Sequence, residues 1–456
     1  MRVQRRAFLS GLTAAALMPA CATDKAPTDS DTAAPPEAAP DRAPEPAPWV
    51  ADGVVDLTAF PRGVWVGDPT ETSAILTTRT AEAEVNLVLM VAEADTGWVE
   101  AQRQDGLTPD ADGFIRLELV GLTADSAYSV VLLSADGARR AEVTRFRTAP
   151  ALTAASRKLR LGATSCMGSS SPDLLNLGFV KQEALDLFFF LGDFVYADGS
   201  KTPDDYRAYY DRTMARPTVQ GVAAGSAVVA IWDDHEVNNN WYFGVNVTED
   251  QYQSALLVYR ETLPQREGPS GGLWRALRFG PDLEVFVLDC RSERDVDAPK
   301  IISDAQLAWA IDSIKASDAR FKLILTSVHI TDHSPLFGTL EARDRWQGYE
   351  EQRLALLDGV TGVEGVVFLT GDMHYAGVQV PSDAGVPGAD RLEIMAGPSG
   401  SRINELVAYF EPHERYPLLI AAWCWALIEL DPGLGELYVQ FIGDDGAIVG
   451  EVRAAL

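Results

Sequence analysis

The chain has 456 residues, 47% hydrophobic and 23% charged, which is ordinary for globular protein and long enough for more than one domain. Its charge is not ordinary: 66 acids against 38 bases leave a net charge of −28, which repels nucleic acid and leaves any phosphate-bearing ligand to be held by local positive charge, such as metal ions. Four cysteines exclude a disulfide framework.

Residues 1–21 read as an export signal. Arg2, Arg5 and Arg6 form a basic start, and Leu9 to Leu17 is a mostly small, apolar stretch too short to span a bilayer. Arg5-Arg6-Ala7-Phe8-Leu9 resembles a twin-arginine signal, and Met18-Pro19-Ala20-Cys21 resembles a lipobox that would make Cys21 the lipidated first residue. These features imply a periplasmic or cell-surface protein, with the twin-arginine export machinery as a partner and a lipid anchor through Cys21. An ordinary cleaved signal with an incidental cysteine is the alternative. Residues 22–50 are dominated by Ala, Pro and acids, and predict a disordered linker that buries too little apolar surface to offset chain entropy.

From 51 to 150 short alternating runs separated by turn residues predict a small β-sandwich, with strands near 73–78, 85–90, 115–119 and 128–133. The phrase from Val120 to Tyr128, with Leu122 before the next strand's Tyr128, resembles fibronectin-type-III modules, and Phe146-Arg147-Thr148-Ala149-Pro150 resembles their exit strand.

Residues 151–456 form the expected catalytic domain. Strands are predicted at 159–164, 186–191, 227–232, 284–289, 321–328 and 364–370, and helices at 204–214, 249–262, 303–316 and 346–358. Tyr252, Ala255, Leu256 and Tyr259 keep helical spacing, and Ser303 is the expected N-cap of the third helix. Strands alternating with helices imply an α/β layered fold. After 391 strands return at 426–430, 437–441 and 447–452.

Each of the six strands runs into a polar cluster: Ser165-Cys166, Gly192-Asp193-Phe194-Val195-Tyr196, Trp232-Asp233-Asp234-His235-Glu236, Asp289-Cys290-Arg291, His329, and Gly371-Asp372-Met373-His374. Three of the five histidines fall in these clusters. Loops after strand ends are where α/β folds hold ligands. Two neighbouring cations need carboxylates to neutralise charge and to bridge, while imidazole and thiolate select a transition metal. A Tyr196 phenolate favours Fe3+, and two metals a few ångströms apart suit in-line displacement at phosphorus. Plain alternatives stand beside these readings. Cys166 and Tyr196 fit a buried core, Arg291 fits a pair with Asp289 or Glu293, and Asn238 to Asn240 fit a turn. Trp241, Tyr242 and Phe243 fit the core as well as a pocket wall.

The set resembles the calcineurin-like metallophosphoesterases of the purple acid phosphatase superfamily, and within them the alkaline phosphatase D (PhoD)-like group. Asp344-Arg345-Trp346-Gln347-Gly348-Tyr349 with Arg353 adds to the resemblance, as does a β-domain placed before the catalytic one. The resemblance implies a two-sheet β-sandwich core flanked by helices, and metal-dependent hydrolysis of phosphate esters by a metal-activated hydroxide. It implies Fe3+ on Cys166, Asp193, Tyr196 and His374, with Asp193 bridging to Ca2+ held by Asp234 and Asp372. His235 would act on the leaving oxygen or the transition state without binding metal, Asp233 would orient it, and Arg291 would neutralise a phosphoryl oxygen. His329 departs from the group's pattern, and as a ligand it would favour Zn2+ or Mn2+ at the second position. Phosphodiesterase activity, including a phospholipase D type, is the nearest alternative; a non-catalytic metal-binding surface lipoprotein is the more distant one.

Overall fold

The computed structural model describes residues 3–5, 37–171, 173–295, 297–333, 342–409 and 413–456. Apart from the backbone of Val3–Arg5, which pairs with the C-terminal strand, the expected export signal and Cys21 lie outside the described residues. No helix among the described residues is long and apolar enough to cross a membrane.

Residues 37–50, expected to be disordered, are docked on the fold. The Ala39 amide donates to Asp431 Oδ1 at 2.9 Å, Arg42 pairs with Asp186 at 3.2 Å, and Trp98 Nε1 donates to the Ala47 carbonyl at 2.7 Å. Composition misled here because a few anchoring groups, each meeting a polar partner far away in sequence, outweigh an apolar deficit.

The N-terminal region contributes β1 (Val64–Gly67), β2 (Ser73–Arg79), β3 (Val85–Glu93), β4 (Gly97–Leu107), β5 (Phe114–Val120), β6 (Ala127–Ser134) and β7 (Thr144–Arg147). Strands β3, β4 and β6 form one sheet, with β7 paired to β6. Strands β1, β2 and β5 instead extend a sheet of the C-terminal region. The junction is a parallel pairing of Gly67 with Val228. A Cβ on Gly67 would lie 2.3 Å from the Pro264 carbonyl and 2.5 Å from that of Val228, so only glycine permits the join. Asp68, beside it, is fully buried against Arg275.

The C-terminal region follows with β8 (Leu159–Thr164), β9 (Leu187–Leu191), α1 (Pro203–Met214), α2 (Pro217–Gly225), β10 (Val228–Ile231), α3 (Glu249–Thr262), β11 (Arg275–Phe279) and β12 (Leu283–Val287). Next come α4 (Asp304–Ala316), β13 (Phe321–Thr326), α5 (Glu350–Gly359), β14 (Val366–Thr370), β15 (Ala376–Gln379) and β16 (Leu392–Met395). The chain ends with β17 (Leu418–Ile420), β18 (Cys424–Asp431), β19 (Glu436–Gly443) and β20 (Ile448–Ala455). Ser303 caps α4 by accepting from the Gln306 amide, and Thr202 and Asp205 close a capping box on α1.

Two mixed sheets result. One runs β20-β19-β18-β8-β9-β10-β1-β2-β5, the other β11-β12-β13-β14-β16-β15-β17. They share one apolar core, in which Leu161, Phe189, Leu191 and Val229 of the first sheet join Val285, Leu323, Leu325 and Leu369 of the second. The run Leu187–Leu191 is buried throughout because both faces are covered: Phe188 and Phe190 pack on the α1–α3 side while their neighbours face the other sheet. Strands β8, β9 and β10 are mutually parallel, as are β12, β13, β14 and β16.

Candidate active site

The predicted clusters sit in the loops that leave these parallel strands. The loops approach so closely that ordinary residues do not fit everywhere. Gly192 has φ 93°, and a Cβ there would meet Asp233 Cβ at 2.5 Å. Cys166, Asp193, Asp372 and His374 all adopt left-handed backbone conformations, with φ of 54°, 55°, 74° and 56°. Each costs about 1 kcal/mol or more, and such strain persists only where surrounding contacts hold it. Glu236 supplies part of that hold. Its buried carboxylate accepts from the amides of Asp193 (3.1 Å), Phe194 (2.6 Å) and Asp233 (2.8 Å), tying the loops after β9 and β10 together.

Around Asp193 two donor sets converge. Ligand atoms of Cys166, Asp193 and His374 lie within 4.8 Å of one another, and so do those of Asp193, Asp234 and His235. The Tyr196 hydroxyl donates to Asp193 Oδ2 at 3.0 Å and lies 3.5 Å from His374 Nε2. Asp372 reaches within 3.8 Å of His329 Nδ1. Asp193, Asp234, His235, Asp372 and His374 open into a cavity of about 500 Å³.

The electrostatics fit bound cations. Burial, with Asp234, Asp233 and Glu236 nearby, pushes Asp193 well above the carboxylate range despite the attraction of His235. Burial and the Asp344 and Asp233 charges push Asp372 up to about 8. Burial and Asp193 likewise raise the Cys166 thiol and the Tyr196 phenol. Burial lowers His329 to about 3 and, with His235, lowers His374 to about 4, leaving the neutral imidazoles that metals take. Asp193 Oδ1 and both ring nitrogens of His329 are buried without a hydrogen-bond partner. Carboxylate, imidazole, thiol and phenol donors crowded together, with buried lone pairs unspent, suit a centre of two or more metal ions.

Two expectations need correction. Asp233 does not orient His235. Its Oδ1 accepts from Arg291 Nε at 2.7 Å, while His235 Nδ1 is held by both carboxylate oxygens of Asp198 at 2.9 and 2.8 Å. Asp198 also accepts from the Asn239 amide at 2.6 Å, which fixes it against the loop it serves. Arg291 does not face the cavity. Its side chain is fully buried, and its guanidinium is taken up by Asp233 and Asp344, with Asp234 at 3.7 Å. A buried guanidinium requires carboxylate partners, and this one finds them on neighbouring loops rather than in Asp289 or Glu293 side-chain pairs.

Tyr196 stacks on the His235 ring at 4.0 Å between centroids, so the imidazole is fixed on one face as well as at Nδ1. Burial pulls its pKa down, but Asp193, Asp198 and Asp234 outweigh burial and push it up to about 10. Cys290 and Cys424 are core residues, and Trp241 is buried, whereas Phe243 is largely exposed. Sequence reasoning missed Asp198, Glu236 as a loop clamp, Asp344 as a guanidinium partner, and Arg402 at the cavity wall. Asp198 follows Tyr196 by two residues, the one local signal that would have drawn attention to it.

The chain resembles known proteins in sequence and in fold. The sequence profile of the PhoD-like phosphatases matches residues 161–405, and that of their N-terminal domain matches residues 51–150. Alkaline phosphatase D of Bacillus subtilis (strain 168) is 25% identical over 383 residues, 69% of this chain; the chain spans 64% of that relative's length. A solved structure described as that of PhoD superposes with a TM-score of 0.73 at 21% identity, covering 87% of each chain, a likeness of fold.

Proposed function

The chain belongs to the PhoD-like phosphatase family, and from that premise we propose that it is a metal-dependent hydrolase of phosphate esters with its centre on Asp193. The observation that carries the proposal is the convergence of Cys166, Tyr196, His374, Asp234 and His235 on Asp193, whose Oδ1 is buried and unpartnered. We assign Fe3+ to Cys166, Asp193, Tyr196 and His374, since phenolate and thiolate suit a trivalent transition metal. A second ion falls to Asp193, Asp234 and Asp372. An oxygen set suits Ca2+, and entry of His329 into that set favours Zn2+ or Mn2+ instead.

Bound ions supply Lewis acidity toward the phosphoryl oxygens and lower the pKa of water in the cavity. The chain's own residues do the rest. Asp198 fixes the Nδ1 side of His235, so Nε2 is the nitrogen available to the substrate. From there His235 hands a proton to the leaving oxygen or hydrogen-bonds to the phosphoryl group. Asp233 and Asp344 hold Arg291 behind the site, where its charge offsets part of the carboxylate crowding. Met373, Ile403 and Leu406 give the cavity an apolar edge, which favours a second reading in which the substrate is a diester, phospholipid included.

The test is metal analysis with a hydrolysis panel of nitrophenyl phosphate, bis-nitrophenyl phosphate and a phospholipid. We expect bound iron and a second metal, with turnover of at least one ester. A folded, metal-replete protein that hydrolyses none of them defeats the proposal. Export rests on Arg5-Arg6 and Met18 to Cys21, and mass spectrometry of the mature N-terminus tests it: a chain that keeps residues 1–20 rules out lipidation at Cys21.

A further inference from the structure

One wall of the cavity is a short loop pinned at two points. Ser401 is held by its amide on the Cys166 carbonyl at 2.9 Å, by Trp423 Nε1 on its carbonyl at 2.7 Å, and by a hydrogen bond between its hydroxyl and that of Tyr196. Asn404 is held by its amide on the His374 carbonyl at 2.8 Å and by its side chain on the Met373 carbonyl at 3.2 Å. Arg402 and Ile403 lie between these pins and line the cavity, followed by Glu405 and Leu406.

Arg402 is exposed and, among the described residues, forms no ion pair. The other arginine lining the cavity, Arg345, is buried and reaches Met373 Sδ at 3.0 Å. In a chain of net charge −28, whose arginines are widely paired with acids, an unpaired guanidinium carried on a pinned stretch of backbone at the cavity wall is conspicuous. The phosphoryl group under attack would have metal ions for its charge, which leaves the Arg402 guanidinium on the cavity wall to serve another group.

We propose that Arg402 forms a subsite for a second negative charge on the substrate, carried by the alcohol part of the ester. The preferred substrate class is then phosphate esters bearing an additional carboxylate or phosphate, and the inference rests on the phosphoesterase reading above. A guanidinium recognises either group through paired N–H donors, so the chemistry is shared between them. Glu405 on the same wall opposes such a charge and tunes the preference downward.

The experiment compares kcat/KM for glycerol 3-phosphate and 3-phosphoglycerate, which differ at the far end by an alcohol and a carboxylate, with a hexose bisphosphate and its monophosphate as a second pair. Wild-type enzyme is expected to favour the member with the extra charge in at least one pair, and which pair responds names the anion. Arg402→Ala should shrink that ratio about tenfold, the usual worth of one charge-assisted hydrogen bond. Arg402→Lys should restore part of it, Glu405→Gln should enlarge it, and added salt should erode it. Metal content and thermal melting establish that each variant is folded and loaded. A parallel loss on both members, leaving the ratio intact, places Arg402 on the transferred phosphoryl group and overturns the proposal. An unaffected ratio in a folded variant makes Arg402 a solvated side chain and overturns it equally. Wild-type enzyme inactive on every ester overturns the phosphoesterase reading itself, an outcome none of the variant ratios can mimic.

Discussion

Replacing His235, Asp198 and Asp233 in turn separates three roles that adjacency in sequence confuses. His235→Ala removes the nitrogen facing the cavity and should lower kcat/KM by about 10²–10⁴-fold, the usual contribution of general acid catalysis, with metal content kept. Asp198→Asn removes only the carboxylate that fixes the imidazole. Two close oxygens, at 2.9 and 2.8 Å, mark a charge-assisted bond. Such a bond is worth about 1.5–3 kcal/mol, but the Asp198 side chain is 40% exposed. Solvent screening cuts the figure to roughly 1 kcal/mol, so Asp198→Asn should cost about five- to tenfold in turnover. Asp233→Asn acts elsewhere. It deprives a fully buried Arg291 of one partner, which should destabilise the fold by about 3 kcal/mol, the low end for a broken buried pair because Asp344 remains. The assay is kcat/KM on an alkyl phosphate and on nitrophenyl phosphate, with metal content and melting temperature recorded for each variant. Loss in His235→Ala should be smaller for nitrophenolate, which needs less protonation. Asp198→Asn matching wild type while Asp233→Asn copies the His235→Ala pattern would return the orienting role to Asp233. Loss of metal together with activity in His235→Ala would make His235 a ligand.

Other consequences can be checked directly. Purified protein should be coloured by a tyrosinate-to-iron charge-transfer band that Tyr196→Phe abolishes; colour surviving that change removes Tyr196 from the ligands. Glu236→Gln replaces one of the two acceptor oxygens that hold three backbone amides, so it should cost about 1–3 kcal/mol and weaken metal retention on dialysis against chelator, and unaltered retention would refute the clamp. Gly192→Ala forces a Cβ against Asp233 in a left-handed conformation, and should reduce activity about 10²-fold or more through misplacement of Asp193; near wild-type rates would refute the close-approach argument. Asp186 is held below the carboxylate range because Arg157 and Arg42 outweigh its burial. Its stabilising contribution is therefore complete above the unfolded carboxylate pKa of about 3.9 and lost as pH falls through its lower folded pKa. Urea midpoints should show Asp186→Asn less stable than wild type at pH 5–8, with the gap closing below about pH 4; a gap that widens in acid contradicts the sign.

Much of this molecule is legible along the chain. The strand expected at 159–164 is Leu159–Thr164, and the helix expected at 249–262 is Glu249–Thr262. Both depend on local periodicity: a short apolar run buried on both faces, or a stripe at helical spacing after a Thr or Ser cap. Elements without such a pattern escaped, among them β1, β4, α2 and β11, as did the late start of α5 behind a tight turn at Trp346–Tyr349. The polar clusters at strand ends were equally legible, because acids and histidines at the end of a buried strand are costly to desolvate unless a cation or a hydrogen-bonding partner meets them there.

What the sequence by itself determined, then, was which residues stand at the ends of which strands, and so the chemical inventory of the centre. Only the tertiary structure decided how they pair. Asp233 is two residues from His235, yet Asp198, 37 positions earlier, holds the imidazole. Arg291 carries a charge suited to a phosphoryl group, yet it is turned inward to Asp233 and Asp344. The loop from Ser401 to Leu406, with no motif of its own, becomes the cavity wall through bonds to Cys166, Tyr196 and His374. The reason is geometric. Periodicity and capping act over a few residues along the chain, whereas these partners are chosen by the lateral order of parallel strands, which brings loops distant in sequence to the same edge of two packed sheets.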